Sequence, residues 1–206
     1  ARQGSQVFGI DRSQPMLKDL RARLGREPQA VRKRVKWRCG DMRRASLKGL
    51  RFPLVLCTFN TALHLYTRRD VELYLSRVRA HLSPRGRFVV DISMPSPLDL
   101  AEDPSRPRRV PAFVHPTWNT RVRSWEQFDY DPLRQVLFVS TSFASAYGKE
   151  PFAMTPLAHR QFFPQEWEAL LHYNGFRLTE VHGDFQGGPL ARGSDTVIVH
   201  AKLRRP

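Results

Sequence analysis

Three carboxylates stand where apolar runs end: Asp11 after Val7-Phe8-Gly9-Ile10, Asp41 within Gly40-Asp41-Met42, and Asp91 in the run 87–92. A carboxylate so placed accepts two hydrogen bonds at once, which suits the neighbouring hydroxyls of a ribose. Asp11 alone reads as the opening of a turn into a capped helix. Three such residues after successive strands read as a ligand-binding edge, because strand C-termini in a parallel sheet line one crevice. The side chains able to take a proton there are His64, His115, His159, His182, Tyr66 and Tyr130. Rings of this kind are structural by default. His159 is the preferred base, since His159-Arg160-Gln161 leads into a segment expected at the mouth of the site. No metal site is expected. Cys39 and Cys57 lack C-x-x-C spacing and read as buried thiols of a reducing, cytoplasmic compartment.

The elements that position these residues follow from periodicity. Residues 7–10 read as a buried parallel strand. Ser13 caps the following helix, with Pro15 in its first turn and Leu17, Leu20 and Leu24 on one face. Residues 31–38 read as a more basic strand, with room for a helix near 43–50. Residues 52–59 are nearly all apolar and too short for a helix, hence a strand. Asp70 is expected to cap a helix that ends at the Ser83-Pro84-Arg85-Gly86 turn, and 87–92 follows as a strand. This alternation argues for a mostly parallel α/β sheet. Residues 95–116 carry six prolines and read as an irregular loop. Residues 121–130 and 135–143 read as an antiparallel hairpin around Asp131-Pro132. A last helix runs from Pro164 to Asn174-Gly175, followed by strands at 176–184 and 196–203.

The 206 residues, 41% hydrophobic and 26% charged, suit one domain with a sizeable core and a modest insertion. No run approaches the roughly 20 apolar residues that span a bilayer, and residues 1–4 lack the apolar core of a secretory signal, so no membrane partner is expected. The net charge of +15 invites a nucleic-acid reading. Against it, the 28 arginines are spread along the chain. Their densest stretch, from Arg21 to Arg44, interleaves a single ring, Trp37, where a single-strand platform needs several. Nucleic acid is therefore not the favoured partner.

In order and spacing these segments resemble the class I, Rossmann-like S-adenosylmethionine-dependent methyltransferases from Val7 to Leu203. Val7-Phe8-Gly9-Ile10-Asp11-Arg12-Ser13 with Pro15-Met16-Leu17 is similar to that family's second strand and next helix start. Gly40-Asp41-Met42 resembles its next loop, and Phe59-Asn60 with Leu63-His64-Leu65 its segment beneath the methionine moiety. Leu82-Ser83-Pro84-Arg85-Gly86 resembles the leucine-x-proline-glycine-glycine turn, with Arg85 in place of the first glycine. Phe162-Phe163-Pro164, Glu166, Leu170-Leu171 and Asn174-Gly175-Phe176 resemble its late helix and sixth strand.

The resemblance implies a doubly wound, mostly parallel sheet with an antiparallel lid insertion. It divides the chain into a core at 1–95, a lid at 96–149 and a C-terminal part of the core at 150–206. It implies S-adenosylmethionine as cofactor, held by Asp11, Arg12, Ser13, Met16, Gly40, Asp41, Met42, Phe59, Asn60 and His64. His159 would be the base, and Trp118, Arg123, Tyr130 and Arg160 would meet a small-molecule acceptor. The alternatives are an RNA- or protein-directed methyltransferase and a non-catalytic interaction module. The family's first strand and glycine-rich loop would precede Ala1. The sheet is therefore expected to be completed by an N-terminal segment or by a second copy, with no direct ladder between 7–11 and 54–59.

Overall fold

Strands β1 (Val7–Asp11) and β2 (Val35–Cys39) pair in parallel from Val7↔Val35 to Asp11↔Cys39. Helix α1 (Gln14–Gly25) joins them, begun by Ser13, whose side chain accepts from the Met16 N–H. The computed structural model describes residues 1–116, 119–145 and 153–204. Residues 29–32 form a short helix, α2 (Gln29–Arg32), so β2 starts four residues later than the apolar pattern predicts. Residues 43–50 hold turns and no helix. Cys39 is exposed, against expectation, and accepts from Gln14 at 3.2 Å; Cys57 is buried.

Strand β3 (Phe52–Cys57) runs parallel to β4 (Leu82–Ser93), connected by the 3₁₀ turn Thr61–His64 and helix α3 (Arg68–His81). Thr67, not Asp70, caps α3; Asp70 sits one turn in and returns the bond, a reciprocal capping box. Leu82 pairs with Phe52 and Arg87 with Leu54, so Ser83-Pro84-Arg85-Gly86 is an excursion inside a strand pair. A Cβ on Gly86 would lie 2.8 Å from Leu82 and 3.0 Å from the Phe52 carbonyl oxygen, so this turn closes only on glycine.

Helix α5 (Pro164–Tyr173) stops at Gly175, whose φ is +84°, and leads into β9 (Phe176–His182). Strand β10 (Thr196–Leu203) lies antiparallel between β4 and β9, giving the order β3-β4-β10-β9. The core lies on one face of this sheet, where Phe88, Val90, Trp167, Phe162 and Phe176 are fully buried beneath α3 and α5. On the other face Leu54 and Leu56 are exposed. No ladder joins β1 to β3, although the rings of Phe8 and Phe52 lie 6.3 Å apart.

The insertion is a four-stranded antiparallel sheet, β5 (Arg108–His115), β6 (Thr120–Asp131), β7 (Val136–Ser145) and β8 (Ala153–Arg160), in sequence order. The hairpin β6–β7 is the one the alternation predicts. Helix α4 (Pro97–Leu100) and β5 occupy the proline-rich stretch read as a loop. The prolines misled for a physical reason: β5 and β8 are both edge strands, where a missing N–H is tolerated. Pro111 also falls where the β5–β6 register shifts. Among the described residues, no helix is long and apolar enough to cross a membrane.

Candidate functional site

Parallel pairing brings the first two carboxylates to one edge. Asp11 ends β1, and its carbonyl accepts from Gly40 N–H at 3.0 Å, which sets Gly40-Asp41 beside it. One Asp11 carboxylate oxygen accepts from Ser13 N–H at 2.8 Å; the other makes no hydrogen bond among the described residues. Asp41 is clasped by Arg43, whose Nε lies 3.0 Å from each carboxylate oxygen and whose backbone N–H donates at 2.8 Å. Those bonds hold the Asp41 carboxyl down at about 2, outweighing the opposing effect of burial. The same guanidinium reaches Asp70 in the first turn of α3. The ends of β2 and β3 therefore open on the same side of the molecule.

The end of β3 has unusual backbone. Phe59 and Asn60 are consecutive residues with φ of +63° and +59°, a conformation side-chain-bearing residues seldom adopt. Such strain persists only where the surroundings enforce it. Here Asp91 enforces it: buried inside β4, it accepts from the Phe59 N–H at 2.8 Å and the Asn60 N–H at 3.3 Å. The Asn60 side-chain oxygen in turn accepts from Ser93 N–H at 2.6 Å. Asp91 thus lies within its strand and not at its end, and its carboxylate is occupied by the chain. The locked turn presents the Phe59 ring 95% exposed at the strand edge.

The antiparallel sheet reaches this edge through β8. The His159 ring stands edge-on to His64 at 5.1 Å between centroids. Burial, assisted by His64, lowers the His159 imidazole to about 4, so it is neutral at pH 7. Tyr66 donates its hydroxyl to the Ala158 carbonyl at 3.1 Å and lies 3.3 Å from His64 Nδ1. Arg160 forms the joint: it donates to the Tyr66 carbonyl at 3.2 Å, Gln135 at 2.8 Å and Glu166 at 2.6 Å, and stacks over Phe162. Burial raises the Glu166 carboxyl, with Arg160 opposing.

The expected site residues fall into three neighbouring groups and some outliers. Asp11, Arg12, Ser13, Gly40 and Asp41 share the β1–β2 edge; Phe59 and Asn60 form the β3 turn; His64, His159 and Arg160 meet at β8. Met16 is exposed on α1, while Met42 packs against the core. Arg123 and Tyr130 lie an odd number of residues apart in an uninterrupted ladder, so they project from opposite faces of β6 and cannot line one pocket. Trp118 lies outside the described residues. Tyr66, named above only as a conceivable base, and Glu166, named only in the late-helix resemblance, take part in the joint, while Arg43 and Gln135 were not anticipated. Only Glu166 had a local signal, as an acid in the first turn of a helix.

The parallel pairs, the crossover helices and the ligand edge define the class I methyltransferase fold. Residues 1–86 match the family model described as a methyltransferase domain. The CcbJ methyltransferase from Streptomyces caelestis superposes with a TM-score of 0.83 at 24% identity, over 99% of this chain and 77% of that one. The glycopeptide N-methyltransferase MtfA, solved with S-adenosylmethionine, gives 0.65 at 22% identity over 99% and 75%. An S-adenosylmethionine-bound amino pentose methyltransferase from Micromonospora echinaspora, involved in calicheamicin biosynthesis, gives 0.59 at 19% over 95% and 83%. No curated protein matches the sequence. Residues 1–86 thus match a methyltransferase domain, and the chain as a whole has the fold of the class I S-adenosylmethionine-dependent methyltransferases.

Proposed function

We propose that this chain transfers a methyl group from S-adenosylmethionine to a small-molecule acceptor held between the strand ends and the antiparallel sheet. The observation that carries this reading is the meeting of β8 with the turn after β3, where His159 and His64 stand 5.1 Å apart over the ligand edge. A sheet brought down on that edge suits an enclosed acceptor better than a long polymer. Two of the similar structures are named as acting on a glycopeptide and an amino pentose.

Bound S-adenosylmethionine supplies a methyl group already activated on a sulfonium, so the protein's part is placement and exclusion of water. The chain offers fitting groups. The Asp11 oxygen without a partner would hold ribose hydroxyls, and the exposed Phe59 ring at its locked turn would cover the methionine portion of the cofactor. Arg12, Ser13, Met16, Gly40, Asp41, Met42, Asn60 and His64 complete the cofactor's surroundings. His159, neutral at pH 7, would accept a proton from the acceptor on an imidazole nitrogen. Tyr130, on the same face as His159 through the pairing Tyr130↔Leu137↔His159, is the better acceptor contact; Arg123 faces away. The free thiols fit a reducing, cytoplasmic compartment.

The slot between β1 and β3 takes a further strand. Neighbouring strands lie about 4.8 Å apart, so one strand fits where two unpaired edges stand about 9.6 Å apart. Val7 on β1 and Leu54 and Leu56 on β3 are exposed, and no ladder joins the two strands. The occupant of the slot is either sequence preceding Ala1 or a strand of another polypeptide.

Calorimetry on the protein with that strand present tests the cofactor reading. Asp11→Ala is expected to weaken S-adenosylmethionine binding by about 1.5–3 kcal/mol, the scale of charge-assisted hydrogen bonds. An unchanged affinity sinks the ribose role.

A further inference from the structure

On the face of the sheet turned away from the core, at its β9 edge, Glu180, His182 and His200 bring three ligand atoms within 4.8 Å of one another. A β-bulge creates this grouping. His200 pairs with Glu180 and Ala201 with Leu178, which leaves Thr179 as an extra residue in β9. The Thr179 hydroxyl donates to the His200 carbonyl at 3.1 Å and pins the bulge. Beyond the bulge, Glu180 and His182 point to the same side as His200.

The protonation pattern is informative. His182 Nδ1 lies 3.1 Å from the Gly187 carbonyl, which can only accept, so Nδ1 carries a hydrogen. His182 Nε2 then faces Glu180 Oε2 at 3.4 Å. Nε2 of His182, the Glu180 carboxylate and a His200 ring nitrogen therefore converge on one point, all within 4.8 Å of one another. A ring nitrogen tied to a backbone carbonyl, with the other free, is how metal-ligating histidines are oriented. Tetrahedral zinc with bonds of about 2.0–2.2 Å needs ligand atoms roughly 3.3–3.5 Å apart, which the His182–Glu180 pair already meets. We propose that Glu180, His182 and His200 bind one divalent transition-metal ion of the zinc class, with a fourth position open to water.

Arg87 is the competing cation. It lies 3.4 Å from His200 Nδ1 and 3.8 Å from Glu180, and it is exposed enough to swing away. The cluster lies at the β9 edge, two strands across from β4, with His182 level with Asp91 through the pairing Asp91↔Ile198↔His182. His200 pairs with Val89, four residues along β4 from the ligand-edge residue Ser93, or about 13 Å at strand rise. The ion would brace edge strand β9 and the Gly187 turn.

The test is titration of metal-free protein with zinc chloride, followed by calorimetry, and with cobalt chloride, followed by visible absorption. Both use a Cys39→Ser background that removes the exposed thiol. One zinc per chain is expected, with the absorption of low-coordinate cobalt. His182→Ala and His200→Ala should each weaken binding at least tenfold, and Arg87→Gln should tighten it several-fold. His182→Asn serves if the alanine variants fold poorly. Absence of saturable binding, or one-to-one binding indifferent to both histidines, overturns the proposal.

Discussion

The two sheets bury their side chains very differently. In the sheet β3-β4-β10-β9, the strand residues facing α3 and α5 are almost wholly enclosed: Phe88, Val90, Ile92, Val197 and Ala201 all have 0% exposure or nearly so. In the antiparallel sheet, Val114, Phe138, Met154 and Leu157 remain exposed. Helices α3 and α5, which connect into the first sheet, cover one of its faces, whereas the hairpin-connected strands bring no covering helices, though Val122, Val136 and Ala144 are buried. The first sheet is a frame whose stability is its own. The second is a surface held to that frame through few joints, among them Arg160. Under the proposed function, catalysis by placement would use this division, with a rigid cofactor edge beside an adaptable acceptor surface.

The sharpest break of the contrast is a matched pair of truncations. Phe88→Ala should cost about 3–5 kcal/mol in urea unfolding, through lost burial and the cavity left. Phe138→Ala, at a 41% exposed ring, should cost under about 1 kcal/mol. Equal costs would mean that the antiparallel sheet has a core of its own.

Asp91→Ala comes next. It leaves the Phe59 and Asn60 N–H groups without their acceptor and releases a strained turn, so a loss of about 2–4 kcal/mol is expected. Methyl transfer should fall further than stability alone explains. Wild-type activity in a folded Asp91→Ala protein would show that the left-handed turn does not serve the site.

Much of the frame was legible because its signals are local. Ser13 before Pro15, the apolar run before Cys57 and Asn174-Gly175 each announce an element within a few residues. Strands β5 and β8 were not legible, since Pro111 and Pro156 argue against a strand until the edge position is known. The site divided in the same way. Asp11 and Asp41 announced themselves as acids after strands. The reach of Arg43 to Asp70, the clamp of Asp91 on Phe59-Asn60 and the meeting of His64 with His159 depend on chain segments 27 to 95 residues apart, or on backbone angles no composition reveals.

Arg160→Met tests the joint itself. Glu166 would stay half-buried without its cation, at a cost of about 1–3 kcal/mol. Acceptor turnover should drop while S-adenosylmethionine affinity holds. Arg160→Lys should not rescue it, because an ammonium cannot reproduce the forked reach to Tyr66, Gln135 and Glu166. Full rescue by lysine would reduce the joint to a simple charge.

The smallest effect separates the frame's own electrostatics from that joint. Asp41 is held at about 2 in the folded chain, below the ordinary 3.8, chiefly by its hydrogen bonds to Arg43. A depressed carboxyl stabilises the fold above about pH 4, and the contribution fades as pH falls toward 2. With both side chains about one-third exposed, solvent screening reduces the gain to about 1 kcal/mol. Arg43→Met should therefore lower the urea midpoint at pH 7 and flatten its dependence between pH 4 and 2. Amide exchange in β6 and β7 should keep its wild-type rates in that variant. Faster exchange there would mean that the antiparallel sheet leans on the frame through the Asp41–Arg43–Asp70 cluster as well, and the division between rigid edge and adaptable surface would have to be redrawn.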